Sequence, residues 1–369
     1  MRCLLTKRGH ANLYDAIFCR AMTYTITVVP SNHTFTVKEG QDLISAALEN
    51  DIVLPYSCRN GSCTSCKGRV VSGEYETGNG TQQLLQVQER DQGYTLFCET
   101  KPKSDLVVEA REVRLASDIV IRKMPVRVVG MEQAAPDVMI LKLQMPATEP
   151  FRFMPGQYLE FILKDGRRRA YSMASRPNGT EPVELHIRHT PGGVFTDHVF
   201  GAGATQMKER EILRVEAPMG SFFLRDDSEK PMVFLASGTG FAPIKAIMEQ
   251  VVEQGITRPI TLYWGGRRPR DLYMSELANK WQGMLPNFTF VPVISDALPE
   301  DNWTGRTGFV HAAVLEDFED LSGYQVYACG APVVVDSARQ AYTAKAGLPE
   351  NEFYADSFTT EADVARLNK

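Results

Sequence analysis

From Met22 onward the chain alternates apolar and polar positions: TYTITVV, a turn over Pro30 to Asn32, then TFTV. A period of two on both sides of a turn predicts a β-hairpin. In DLISAALEND the period lengthens, placing Leu43, Ile44, Ala47 and Leu48 on one helical stripe. A loop rich in Cys, Gly and Ser follows, and LVVEA closes the segment near Glu112. Residues 113–123 mix charged and apolar groups without a turn cluster and read as a linker. From Met124 to about Arg225, short runs such as VRVVGM, VMILKLQM, QYLEFIL, VELHIRH and ILRVEA are separated by Pro and Gly, the texture of an antiparallel barrel. After Lys230, strand-like MVFLAS, ITLYWG, FTFVPVIS and YQVYACG alternate with helix-like PIKAIMEQVVEQ, SELANKW and VVDSARQAYTAKA, which predicts a parallel α/β sheet. The chain thus divides into an extension over 1–21, units over 22–112, 124–228 and 229–369, and a linker over 113–123.

Composition narrows what these units can do. At 369 residues and 43% hydrophobic, the chain can bury more than one core. A net charge of −5 argues against a nucleic-acid surface. The most apolar stretch, 232–248, is interrupted by Ser237, Gly238, Gly240 and Pro243, so no membrane span is expected. Residues 1–21 carry Arg2, Lys7, Arg8 and Arg20 against Asp15, with no secretory apolar core. An organelle transit segment is one reading, and a disordered extension is the one adopted. Seven cysteines without an export signal favour a reducing, cytoplasmic setting and ligand cysteines over a disulfide framework. Cys3 and Cys19, in the extension, are given no role.

In SCRNGSCTSCKG, Cys58, Cys63 and Cys66 are spaced C-x4-C-x2-C, and Cys98 follows in TLFCET. That is the spacing of plant-type two-iron centres. Gly61 and Gly68 let backbone N–H groups approach the sulfurs. A structural zinc site and buried free thiols are the alternatives; zinc pairs usually differ in spacing. Over 22–112 the sequence resembles the plant-type 2Fe-2S ferredoxin domain, which implies a β-grasp, α+β fold with the four cysteines as cluster ligands. This unit carries eight Lys/Arg against twelve Asp/Glu, which suits docking on a basic partner.

RRRAYSMA follows a Gly-Gln-Tyr turn, Gly156 to Tyr158. An Arg can clamp a pyrophosphate, a Tyr can stack on a flat ring and a Ser can hydrogen-bond it, although an Arg run is also an ordinary solvated face. Arg169-Ala170-Tyr171-Ser172 resembles the R-x-Y-S motif of the ferredoxin–NADP reductase superfamily. The resemblance implies that Arg169 binds the FAD phosphate, Tyr171 covers the isoalloxazine and Ser172 contacts its reactive edge. It further implies that His186, Ile187 and Arg188, with Gly193, Val194, Phe195 and Thr196, complete the FAD site. Thr196 stands where the superfamily commonly has Ser, and His186 reads equally as a packed strand residue.

FLASGTGFAPIKAI is a strand, a Gly-rich turn and a helix opening with Pro243, a setting that favours phosphate. It is not the dinucleotide fingerprint G-x-G-x-x-G, but it matches the superfamily's G-T-G-x-A-P, implying a nicotinamide-nucleotide site at Gly238, Thr239, Gly240 and Pro243. By the same resemblance Gly265 and Arg267 make a second nucleotide contact. Cys329-Gly330 would place a thiol near the nicotinamide, the alternative being a small buried residue. Phe358 would lie against the flavin, with Asp356 and Ser357 as further candidates. Ser172, Cys329 and Phe358 are the expected catalytic residues. Arg267, Arg268 and Arg270 can receive a 2′-phosphate or form a solvated turn, and the family resemblance favours NADH over NADPH.

In the order ferredoxin, FAD barrel and nicotinamide domain, the chain resembles the CDP-6-deoxy-delta-3,4-glucoseen reductase family over roughly Thr25 to Phe358. YSCRNGSC, GQY, RRAYS, VELHIR, FLASGTGFAPIK, YWGG, WTGRTGFVHAAVLED and VYACG carry the likeness. It implies an NAD(P)H-dependent oxidoreductase passing electrons through FAD and 2Fe-2S to a partner, in that family a pyridoxamine-phosphate dehydrase. Many of these motifs also occur in reductases of aromatic-ring dioxygenases and bacterial monooxygenases, so an oxygenase component is the alternative partner. A non-catalytic redox sensor is the alternative of another class.

Overall fold

The computed structural model describes residues 22–110, 114–115, 119–147, 151–179 and 181–360; the extension, with Cys3 and Cys19, lies outside them. The expected hairpin forms from Thr23–Val29 and His33–Lys38, in a register that puts Ile26 opposite Phe35. Both residues point into the core. Thr23–Val29 also pairs in parallel with Leu106–Glu109, which adds Lys67–Ser72 and then Tyr94–Leu96. Across this mixed sheet packs the helix Leu43–Glu49, burying Leu43, Ile44, Ala46 and Ala47. Asp42 starts it by accepting the Ser45 N–H at 2.9 Å, an N-cap that satisfies an otherwise orphaned donor. The result is the β-grasp, α+β unit.

The second unit is a six-stranded antiparallel sheet in the order Arg168–Ser172, Tyr158–Ile162, Ile212–Met219, Arg122–Ala135, Val138–Gln144, Val183–Arg188. A bridge between Met173 and Leu185 joins its two ends into a barrel. Closure removes the open edges that would otherwise need cover. The long strand starts at Arg122, inside the stretch read as a linker. Within that stretch the backbone of Arg114–Leu115 pairs with Ile52–Val53. Two residues are too few to leave a periodic signal.

The third unit is a parallel sheet in the order Arg306–Thr307, Phe288–Ile294, Ile260–Gly266, Met232–Ser237, Gln325–Gly330, Phe353–Ser357. Its direction of growth reverses at Met232–Ser237, so a crevice opens beyond the carboxyl ends of that strand and Gln325–Gly330. The helices Phe241–Gln254, Ser275–Met284, Val310–Asp317 and Pro332–Lys345 complete the unit. Among the described residues no helix is long and apolar enough to cross a membrane.

The first unit's apolar core takes in Tyr158 and Met219 from the barrel, so the units share packed surface.

Candidate active site

The cysteines fall into two pairs. Cys66 and Cys98 sulfurs lie 3.4 Å apart. Cys58 and Cys63 are hydrogen-bonded to each other, and this bond, with backbone N–H groups of Asn60 and Ser62, pulls the Cys58 thiol down to about 6 against the effect of burial. Two pairs suit two irons with two thiolates each, whereas structural zinc gathers four ligands on one ion. Among the described residues no three Cys, His, Asp or Glu side chains converge on a single ion position. The paired donors fit a two-iron group.

A second cluster forms where the barrel, the nucleotide sheet and the cysteine loop meet. Ser172 ends the strand Arg168–Ser172, and its hydroxyl donates to Asp356 Oδ2 at 2.9 Å. Ser57, next to Cys58, donates to Asp356 Oδ1 at 2.6 Å. Cys329 Sγ is 4.0 Å from the same carboxylate. Burial pushes the Asp356 carboxyl up, opposed by the two serine hydroxyls. Burial likewise pushes the Cys329 thiol up, helped by the charge of Asp356, so it is held as a thiol. Phe358 donates its N–H to Gly330 O at 2.8 Å and packs its ring on the nucleotide-domain core. Ser172 and Cys329 thus meet at one buried carboxylate, Asp356, beside the backbone of Phe358, with Ser357 also buried. Ser57 escaped sequence reading, because a serine beside a ligand cysteine gives no signal of a contact so distant in the chain.

The expected flavin residues divide. The Tyr171 ring is 5.4 Å from Phe195 and 5.9 Å from Phe161, an aromatic wall on the barrel. Arg169 is half-buried, and its Nη1 donates to Arg168 O at 2.7 Å. Ile187 is core, and Val194 is exposed at the start of the helix Val194–Phe200. The Thr196 hydroxyl donates to Thr190 O at 2.8 Å and bonds the turn around Gly193, a task a serine hydroxyl also performs. His186 is packed in its strand. Nδ1 meets Tyr273 OH at 2.7 Å and Nε2 meets Glu184 at 2.9 Å, so both nitrogens are used within the protein.

At the crevice the glycines are required by contact. A Cβ on Gly240 would fall on the carbonyl of Cys329, and one on Gly330 would lie 2.6 Å from Ser237 O. Gly238 has φ +55° and no room beside Arg188 Nη1. Nε and Nη2 of Arg188 are buried without a hydrogen bond, though Asp137 is 3.2 Å away and Asp271 3.9 Å. A guanidinium over a glycine cradle, paired with two carboxylates but with nitrogens free of hydrogen bonds, fits a phosphate-bearing nucleotide. Thr239 and Pro243 are buried in the same turn. Gly265 is held against Val310, where a Cβ would sit 2.6 Å away. Beside it the Arg267 side chain is 71% exposed, while Arg268 is gripped by both Asp301 oxygens at 2.7 and 2.9 Å. Phe309, 68% exposed just before the helix Val310–Asp317, offers a ring at this edge that sequence reading did not single out.

Three sequence-family models match in chain order: a 2Fe-2S iron-sulfur cluster binding domain over 26–103, an oxidoreductase FAD-binding domain over 125–224 and an oxidoreductase NAD-binding domain over 234–340. The chain is 38% identical over 337 residues to the CDP-6-deoxy-L-threo-D-glycero-4-hexulose-3-dehydrase reductase of Yersinia pseudotuberculosis serotype I (strain IP32953), spanning 91% of this chain and 99% of that one. This chain belongs to the iron–sulfur flavin reductases. The reductase is also 35% identical to the terephthalate 1,2-dioxygenase reductase component 2 of Comamonas sp, over 92% of this chain and 98% of that one. Among solved structures it is similar to the Amycolatopsis cytochrome P450 reductase GcoB, with a TM-score of 0.71 and 30% identity over 91% of this chain and 99% of that one. The reductase is an NAD(P)H-dependent oxidoreductase of ferredoxin-reductase type that passes electrons through FAD and a 2Fe-2S centre to a redox partner protein. FAD supplies the step between a two-electron donor and a one-electron acceptor; the chain supplies position and potential.

Proposed function

We propose that the reductase delivers its electrons, in the cytoplasm, to a pyridoxamine-phosphate dehydrase acting on a CDP-6-deoxyhexulose. The observation that carries this reading is the 38% identity to the Yersinia reductase, sustained over nearly the whole of both chains. In this reading Cys58, Cys63, Cys66 and Cys98 hold the cluster, Arg169, Tyr171 and Ser172 hold FAD, and Gly238 to Gly240 with Arg188 hold the nicotinamide nucleotide. The units run over 22–112, 124–228 and 229–369. Pairing of the thiols two by two, and the meeting of Ser57 and Ser172 on one carboxylate, support a path from barrel to cysteine loop. NADH is the donor: of the three arginines at this turn Arg268 is held by Asp301 and Arg267 lies 3.7 Å from Asp271, and kcat/KM is expected to be higher with NADH than with NADPH.

The test is reconstitution with NADH and either CDP-6-deoxy-L-threo-D-glycero-4-hexulose-3-dehydrase with its substrate under argon or, in air-saturated buffer, the oxygenase of a terephthalate dioxygenase with terephthalate. Faster turnover with the dehydrase is expected. Coupled oxygenation of terephthalate at the higher rate would move the partner to an oxygenase, a reading the 35% identity to the Comamonas reductase favours.

A further inference from the structure

Glu99 follows Cys98 directly, and neither spacing nor composition gives it a task. Its carboxylate accepts the backbone N–H of Gly80 at 3.2 Å and of Thr81 at 2.9 Å. The same group lies against the cysteine loop. A Cβ on Gly61 would fall on the Glu99 carboxylate, and one on Gly78 would lie 2.5 Å from Oε1. Gly61, at φ +75°, stands between Asn60 and Ser62, whose backbone N–H groups bond the Cys58 sulfur. One carboxylate, next in the chain to Cys98, therefore touches both the segment 78–81 and the turn that aims N–H donors at a sulfur on the other pair.

We infer that Glu99 is a positioning residue that fixes the Gly61 turn over the cluster site and lowers the potential of the group held there. The inference rests on the proposed assignment of the four cysteines. Its physics is that of any such centre: fixed negative charge close by disfavours the added electron, and N–H donors to sulfur stabilise it. Glu99→Gln keeps the shape and one acceptor oxygen while removing the charge. Glu99→Ala removes both the charge and the clamp.

The experiment is redox titration of the purified full chain with FAD and cluster bound, reading the cluster by EPR and the flavin by absorbance. In E99Q we expect iron and sulfide as in the parent chain, a cluster midpoint shifted to more positive potential and an unmoved flavin midpoint. In E99A we expect, in addition, a broadened EPR signal and several-fold faster loss of the cluster in air. An E99Q cluster potential equal to that of the parent overturns the inference, whatever E99A does, and E99Q decides it even if E99A fails to fold. A parent chain lacking iron, sulfide and the EPR signal would instead overturn the functional reading on which the inference stands.

Discussion

Asp356 is buried, and two serine hydroxyls from different units end on its oxygens. Burial raises its pKa above the ordinary 3.8, so the folded chain retains a proton that the unfolded chain releases in that window. Stability linked to this group is therefore full below 3.8 and is lost as pH climbs through the raised value. Asp356→Asn removes the ionisable group while its amide oxygen still accepts one serine hydroxyl. The thermal midpoint of this variant, compared with the parent, is expected to improve from about pH 4 to about pH 8. A difference that stays flat across that range would show that Asp356 is ionised in both states. The cysteines call for a different pairing of variants. Cys98→Ser is expected to abolish the EPR signal of the reduced protein while leaving bound flavin, because one of two sulfurs 3.4 Å apart is lost. Cys329→Ser, at a buried thiol outside the set of four, is expected to leave the EPR signal intact.

At the level of elements, the helix Phe241–Gln254 is tied to the barrel strand Val183–Arg188 by buried charge. Lys245 Nζ reaches Glu249 at 2.6 Å, Glu184 at 3.1 Å and Ala174 O at 3.0 Å. Burial lowers the pKa of His186, opposed by Glu184, so the ring is neutral at pH 7. Burial works against Glu184 as well, but its bonds to His186 and Lys245 outweigh it and hold the carboxyl down to about 2. Both values are depressed, so both contributions are complete above the unfolded values of 6.5 and 4.5 and are lost as pH falls through them. Urea midpoints should fall in two stages on acidification, the lower one costing on the order of 3 kcal/mol. His186→Gln should abolish the upper stage and shrink the lower one, since His186 also helps hold the Glu184 carboxyl down, and a parent profile with no loss between about pH 6.5 and about pH 5 would contradict this. Such ties could not be read from the chain. Alternation exposed the hairpin Thr23–Lys38, and the switch between strand and helix periods exposed the parallel sheet, because burial on one face imposes a period. Phe353–Ser357 left no comparable trace: it is a short edge strand that buries an Asp and a Ser, residues that sequence statistics assign to solvent. The cysteine spacing was legible because metal geometry fixes it locally, whereas Ser57, Asp356 and Glu99 acquire their roles only when distant segments meet.

Across the whole molecule, the cysteine loop is clamped from both sides. Tyr158 of the barrel donates its hydroxyl to Ser57 O at 2.8 Å, and Tyr56 accepts the Gly220 N–H at 2.9 Å. From the nucleotide unit, Asp336 receives the Thr64 hydroxyl at 3.3 Å and Ala355 O receives that of Ser65 at 3.2 Å. Lys67 adds a contact to Glu350 at 2.9 Å. None of these groups lies in the Gly238 to Gly240 cradle, so loosening the clamp leaves nucleotide binding intact while relaxing the separation between barrel and cysteine loop. Electron transfer responds to that separation, and hydride delivery does not. In Tyr158→Phe combined with Ser57→Ala, stopped-flow mixing with NADH under argon should therefore bleach the flavin band at the parental rate. Bleaching of the cluster band should slow by about tenfold, equivalent to roughly 1.4 kcal/mol in barrier. Slowing of both bands together would place the damage in the FAD site rather than at the seam. Parental rates for both would mean that the contacts around Ser57 hold the units together without governing the transfer.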